Sequence, residues 1–352
     1  VSQTSEKIPF NHLHLYWALA LSALVSGYLI AKNFNAEALK QIAWSSQLML
    51  GLVLAAITVL FRDGAYIYRI RLLTKGKITW RQSTELVLLW EYGTAATPAT
   101  TGGMALALMA FHRQKISAGK STAYILLAKF YDDLCFVVIF SLLYLWFGSS
   151  MLNVSGECAD LSGQPIMQAV RTLGNKAWWG YALLLSLCVL MGTMIFVLPH
   201  KANLFLQRIA SAKWLSRFEL AIRKFGHDIE LTAYEFKNAS AVFHVKVFLT
   251  TAVSWMARYA LAVALIYAFS DIALNHLEVY ARQFLLWVFI MLPATPGASG
   301  VAEVSFMAMN CEYIPVGLSA AVALVWRMFS YYSYLVVGVF MLRRFLLRKP
   351  TN

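Results

Sequence analysis

Apolar residues run along this chain in blocks longer than a soluble core requires. A helix needs about 20 largely apolar residues to cross the hydrocarbon of a bilayer. Six stretches reach that length: about 13 to 31, 43 to 61, 120 to 147, 178 to 199, 242 to 269 and 315 to 342. Two more, about 84 to 111 and 282 to 310, are long enough but interrupted, the first by ATPATTGG at 96 to 103 and the second by ATPGASG at 294 to 300. Each interrupted segment reads either as a kinked spanning helix or as a hairpin of two half-helices that enters and leaves on one side. The stretch 200 to 241 carries Trp214, Phe218, Ile222 and Phe225 at helical spacing among basic residues, the pattern of an amphipathic segment lying on a membrane surface. The segment 63 to 80 has a similar pattern.

Composition agrees with this reading. Of 352 residues, 60% are hydrophobic and 13% charged, with a mean hydropathy of +0.61, far outside the range of soluble domains. The formal net charge of +13 would suggest nucleic acid in a soluble protein, but here it sits in the connections. Residues 62 to 82, 112 to 120, 200 to 241 and the tail from Arg343 to Lys349 are rich in Lys and Arg, whereas 148 to 177 and 270 to 281 are nearly balanced. The positive-inside rule places the basic segments, and both termini, in the cytoplasm. All four share a side only if both interrupted segments are hairpins. The N-terminal VSQTSEKIPFNHLHLYW has no basic run before a short apolar core and reads as no signal peptide.

The two breaks also mark an internal repeat. An offset of 198 sets Ala96, Thr97 and Pro98 on Ala294, Thr295 and Pro296, Thr101 on Ser299, Gly102 on Gly300 and Lys129 on Arg327. With a slip of two residues, Phe61-Arg62 faces Ala257-Arg258. One hairpin opening inward and the other outward makes the halves, about 43–147 and 242–342, an inverted repeat. That is an architecture of transporters. The predicted fold is an all-α polytopic membrane protein of one integral domain spanning 1–352, with about six spanning helices and two re-entrant helical hairpins.

Ionisable residues inside apolar segments carry the chemistry, since each costs a few kcal/mol at the bilayer centre unless paired or hydrated. They are Glu91, Lys129, Asp132, Asp133, Arg258, Glu303 and Arg327. Lys129, Asp132 and Asp133 stand at i, i+3 and i+4 and can neutralise one another, or serve a substrate or a proton. Arg258 and Arg327 have no acid nearby in sequence, and Glu91 and Glu303 on the interrupted segments are the economical partners, expected to pair the arginines or to sense protons. Glu303 also stands three residues after Gly300, where it can satisfy the start of a half-helix. Pro98, Pro293 and Pro296 break the helices, and Thr97, Thr100, Thr101, Gly102, Thr295, Gly297, Ser299 and Gly300 surround the breaks. Exposed N–H groups at half-helix starts favour an anion. With Lys129, Arg258 and Arg327 nearby, the expected ligand is a phosphate-bearing headgroup.

Motifs for nucleotide binding, metalloproteolysis or serine hydrolysis are absent, Asp132-Asp133 has no downstream aspartates to complete a diphosphate–metal site, and no metal or cofactor is expected. Of the four cysteines, Cys135 and Cys188 lie in apolar spans, while Cys158 and Cys311 could meet only in an oxidising compartment, and nothing in the sequence brings them together.

The segments ATPATTGG with LAKFYDD, and LPATPGASGVAE with VWRMFSYY, resemble the membrane domain of the lysylphosphatidylglycerol synthase/flippase family, over about residues 10 to 345. The family's Pro-Gly-Gly-x-Gly-x-x-Glu is met by Pro296, Gly297, Gly300 and Glu303, with Ala298 at its second glycine. Its Arg-x-x-Asp is met by Lys129 and Asp132, which keeps the charge but not the bidentate fork. The resemblance implies the lipid-translocating part without a soluble aminoacyl-transferase domain.

The expected function is a flippase that moves a phospholipid or lipid-linked anionic headgroup across a bacterial or archaeal cytoplasmic membrane. The alternative is a membrane subunit or transferase in aminoacyl-phospholipid or lipid-linked sugar synthesis. Expected partners are the lipid substrate and a separate cytoplasmic lipid-modifying enzyme, with a homo-oligomer compatible and nucleic acid excluded.

Overall fold

The computed structural model describes residues 44–97, 101–148, 177–211, 219–272, 275–291, 295–315 and 317–347. The described residues contain helices and no strand. Helix α1 spans Ser46–Leu73 and starts where the Leu48 N–H donates to the Ser45 hydroxyl at 3.1 Å. It ends in a turn with Lys75 and Gly76 at positive φ. Helix α2, Trp80–Ala96, opens with a capping box in which Gln82 N–H donates to the Thr79 hydroxyl and Thr79 N–H to the Gln82 side chain. Then follow α3, Thr101–Arg113, and α4, Ala118–Phe147. Helix α5, Ala177–Gly192, continues as a π-turn, Thr193–Val197. Two amphipathic helices, α6 (Pro199–Ala210) and α7 (Glu219–Lys237), precede α8, Ala241–Phe269, and α9, His276–Met291. A short turn, Pro296–Ala298, leads into α10, Val301–Asn310, and the chain finishes with α11 (Ser319–Arg327), a π-turn (Met328–Tyr332) and α12 (Ser333–Leu347).

Among the described residues, four helical runs are long and apolar enough to cross a membrane: Ser46–Leu73, Trp178–Val197, Ala241–Phe269 and Ser319–Leu347. They coincide with the expected spans at 43 to 61, 178 to 199, 242 to 269 and 315 to 342. The stretch 120 to 147 is the 30-residue helix α4, about 45 Å long at 1.5 Å per residue. The expected span at 13 to 31 lies outside the described residues.

One expectation needs correction. Residues 62 to 73 are neither loop nor separate surface helix: α1 continues without a break to Leu73. No strong helix breaker intervenes before the Thr74-Lys75-Gly76 turn, and Arg62, Tyr66, Arg69, Ile70 and Leu73 fall on one buried face.

Contacts between helix ends fix the arrangement. The Gln82 and Gln114 side chains hydrogen-bond, which sets the start of α2 beside the end of α3 and makes them an antiparallel pair. A Cβ on Gly93 would lie 2.4 Å from the Gly102 carbonyl oxygen, so the pair closes by backbone contact that only glycine permits. In the second broken segment Arg282 donates to the Met309 carbonyl at 2.8 Å and Gln283 to the Asn310 side chain at 3.2 Å, which pairs α9 with α10 in the same way.

The pairs open at opposite ends. The open end of α2–α3 lies with the Arg113 guanidinium on the Phe345 carbonyl of α12, Lys75 on Glu235 of α7 at 2.7 Å, and Gly119 of α4 against Phe225 and Asp228. At the other end Gln47 of α1 donates to the Tyr267 and Ser270 carbonyls at the end of α8, each at 2.9 Å, and α9 follows directly. The closed tips meet in between, where α2 packs on the Pro296–Ala298 turn. Each pair has its own core, Leu89, Tyr92 and Phe111 in one and Phe284, Phe289 and Phe306 in the other.

Candidate functional site

A cavity of about 260 Å³ lies between the two tips, lined by Thr94 and Thr97 of the first and by Thr295, Gly297 and Ala298 of the second. Arg62, Arg258, Arg327, Lys129 and Glu91 also face it, with Leu261, Leu286, Trp287 and Trp326 supplying an apolar wall. Four cations and one carboxylate thus border one small space.

Arg327, at the end of α11, is held by the second tip. Its Nε donates to Glu303 at 2.9 Å, and its Nη2 to the Gly297 carbonyl at 3.0 Å and the Ser299 hydroxyl at 3.1 Å. The other Glu303 oxygen accepts the Gly300 N–H at 2.7 Å. Glu303 therefore caps α10 and pairs the arginine at once, and both side chains are 6% exposed. Gly297 has φ +56, and a Cβ there would lie 2.0 Å from the Tyr331 ring. That ring stacks on the Arg327 guanidinium at 3.9 Å and belongs to the π-turn following α11. π-turns inside helices often sit at functional sites, and here the turn carries both Tyr331 and the cavity-lining Ser330.

Glu91, on α2 below the first tip, bridges two arginines. Arg62 of α1 and Arg258 of α8 each approach one of its oxygens at 3.3 Å. Asp63 holds Arg62 from behind at 3.0 Å and accepts the Tyr334 hydroxyl at 2.9 Å. Arg258 lies among Tyr66, Trp255 and Trp287, and its Nε is buried without a hydrogen-bond partner. The Ser330 hydroxyl is orphaned in the same way.

The acidic pair on α4 divides. Lys129 reaches Asp133, whereas Asp132 turns to Arg69 of α1 at 2.6 Å and to the Trp255 indole N–H at 2.9 Å. Expected mutual neutralisation of all three therefore holds for one pair and not for Asp132, which sits on the helix face turned towards α1 and α8.

Thr97 donates to the Gly93 carbonyl and accepts the Gly102 N–H, both at 2.8 Å, closing the first tip on itself. Thr295 donates to the Ser299 carbonyl at 3.3 Å. Pro98, Thr100 and Pro293 lie outside the described residues, as do the side chains of Thr101 and Pro296. Cys311 is disulfide-bonded, Cys135 and Cys188 are free, and Cys158 lies outside the described residues. No cluster of His, Cys, Asp and Glu able to hold a metal occurs among the described residues.

Local sequence reading missed Asp63, Arg69 and Arg282, and singled out Arg62 only as the repeat counterpart of Arg258. Arg62 and Arg69 are 2% and 4% exposed, and their seven-residue spacing on the α1 stripe was the available signal. Arg282 is buried at the open end of the second pair, bonded to Glu278 and Glu312.

Buried, mutually paired charges within an apolar helical bundle define an integral membrane protein. The chain belongs to the family described as the lysylphosphatidylglycerol synthase TM region, which matches residues 15–338. It is also similar to a UPF0104 membrane protein of Archaeoglobus fulgidus, 27% identical over 126 residues, a match covering 36% of this chain and 37% of that relative.

Proposed function

We propose that the chain is a lipid flippase that carries a phospholipid or lipid-linked anionic headgroup through the cavity between the two tips. The observation that carries this reading is the cavity's lining: Arg62, Lys129, Arg258 and Arg327 face it with Glu91, while the other acids that pair them, Asp63, Asp133 and Glu303, stand behind, and Arg258 keeps an unpartnered Nε. In a low-dielectric setting such a site favours an anion, and guanidinium groups match phosphate oxygens. At about 260 Å³ the space admits a small headgroup, and acyl chains would lie along the apolar helices outside it.

The two helix–break–helix pairs are re-entrant hairpins in this reading, entering from opposite leaflets as halves of an inverted repeat, with rocking between them exposing the cavity to each side in turn. The end bearing Lys75, Arg113, Lys120, α7 and the end of α12 is cytoplasmic by its positive charge. The opposite end, where Cys311 is disulfide-bonded, faces the oxidising side. Helices α6 and α7 give a cytoplasmic lipid-modifying enzyme a surface on which to dock.

The test is translocation of a fluorescent phosphatidylglycerol by the purified chain in vesicles. Wild type transports, and Arg327→Gln and Glu303→Gln each transport at least tenfold more slowly. Equal rates in all three contradict the mechanism. Product formation from an aminoacyl or sugar donor would instead support the transferase alternative.

A further inference from the structure

The two arginine–carboxylate units at the cavity are built differently. Glu303 is locked: one oxygen holds Arg327 at 2.9 Å, the other holds the Gly300 N–H at 2.7 Å, and the side chain is 6% exposed. Glu91 is not locked in this way. It sits between Arg62 and Arg258 at 3.3 Å from each, is 17% exposed, and faces the cavity. Both contacts are longer than the 2.7–2.9 Å of a tight charge-assisted hydrogen bond.

The charges around Glu91 can be counted by element. Helix α1 brings Arg62, Asp63 and Tyr66, α8 brings Arg258, and α12 brings Tyr334. Its hairpin mate α3 places no ionisable group there, and Lys129 and Arg327 look in from the far wall. Two guanidinium groups balance two carboxylates, so the group around Glu91 is neutral when empty. A phosphodiester that takes the Arg258 fork and part of the Arg62 fork adds one negative charge to a site with a largely apolar wall. Asp63 keeps its contact with the Tyr334 hydroxyl at 2.9 Å and stands behind Arg62 at 3.0 Å, whereas the headgroup competes for both cations that hold Glu91. Glu91 loses its two cationic neighbours, and a carboxylate left without a counter-charge in an apolar site favours its protonated form.

We propose that Glu91 is the proton-coupling residue of this chain: an anionic headgroup displaces it from Arg258 and Arg62, and Glu91 takes one proton from water as the headgroup binds. The inference rests on the flippase reading. Headgroup and proton then cross together, so the loaded site is neutral and a transmembrane proton gradient can drive the lipid. Release reverses the exchange: the anion leaves, the arginines reclaim Glu91, and its proton departs on the other side.

Proton uptake by the full chain in weakly buffered detergent micelles at pH 7 tests this, with phosphatidylglycerol as the probe, phosphatidylcholine as the neutral control, and lipid binding measured on the same samples. Wild type is expected to take up about one proton per phosphatidylglycerol bound, and Glu91→Gln to bind this lipid without uptake. Binding by wild type with no proton uptake overturns the coupling and leaves the headgroup site standing. Equal uptake by wild type and Glu91→Gln overturns the assignment to Glu91. Failure of wild type to bind phosphatidylglycerol in preference to phosphatidylcholine overturns the headgroup reading, and the coupling with it. The wild-type stoichiometry decides even where the variant does not fold.

Discussion

Arg69 of α1 reaches Asp132 of α4 at 2.6 Å, and the Trp255 indole of α8 donates to the same carboxylate oxygen at 2.9 Å. One carboxylate thus ties three long helices together, and its partners lie 63 and 123 residues away. Removing one member of a buried pair leaves an uncompensated charge at a cost of about 3–5 kcal/mol, whereas replacing both with apolar residues is often neutral. Asp132→Leu and Arg69→Met are each expected to lower stability in detergent by about that amount, and the double variant by less than either. Additive losses in a denaturation series would show that the two residues act separately.

Closure of the first hairpin rests on backbone contact at Gly93. A Cβ there would meet the Gly102 carbonyl oxygen at 2.4 Å, while one on Gly64 would meet nothing within 4 Å. Gly93→Ala is expected to destabilise by about 1–3 kcal/mol through overpacking. Gly64→Ala, on an open helix face, gains up to about 1 kcal/mol of helix propensity. Thermal unfolding of the two variants in one detergent makes the comparison.

Ala298 occupies a left-handed conformation, φ +53, next to Gly297 at φ +56. An L-residue pays about 1–2 kcal/mol there, part of which glycine returns as entropy of the unfolded chain. Ala298→Gly is expected to raise stability by about 0.5–1 kcal/mol. An unchanged or lowered melting temperature would contradict the assigned backbone.

Lys75 joins the end of α1 to Glu235 of α7 at the basic end of the molecule. Its hydrogen bond holds the Glu235 carboxyl below the ordinary value of 4.5. A lowered folded-state value stabilises the fold above the ordinary value, and that stabilisation fades as pH falls through the lowered one. Both side chains are about two-fifths exposed, so the effect is at most about 1 kcal/mol. Wild type is expected to melt slightly above Lys75→Met at pH 7, with the two converging below pH 4.5. A gap that persists in acid would assign the effect to packing.

How much of this was legible in the sequence follows from the range over which each signal acts. The breaks at ATPATTGG and ATPGASG are local chemistry, and antiparallel helix pairs flank both. Glu91 and Glu303 stood out as carboxylates in apolar surroundings facing arginines without local acids, and each now lies against one. Arg62 and Arg69 were hidden by their setting: an apolar run ends just before them and a basic cluster follows, so a charge count assigns them to a loop. The helical period from Arg62 through Tyr66, Arg69 and Leu73 tells otherwise, as does the alignment of Arg62 with Arg258 in the repeat. Asp132 had an attractive local partner in Lys129, and no local rule reveals that its partner is Arg69, three helices earlier. The orphaned Arg258 Nε and the bridging position of Glu91 are properties of three helices meeting and have no sequence signature.

The central claim is that an anionic headgroup passes through the space bordered by Arg258. The direct measurement is protein-dependent translocation of fluorescent phosphatidylglycerol and phosphatidylcholine in sealed vesicles, for wild type and for Arg258→Gln of matched melting temperature. The account predicts that wild type moves phosphatidylglycerol faster than phosphatidylcholine and that Arg258→Gln slows phosphatidylglycerol at least tenfold. No protein-dependent transport of phosphatidylglycerol, or an equal rate in Arg258→Gln, would contradict it.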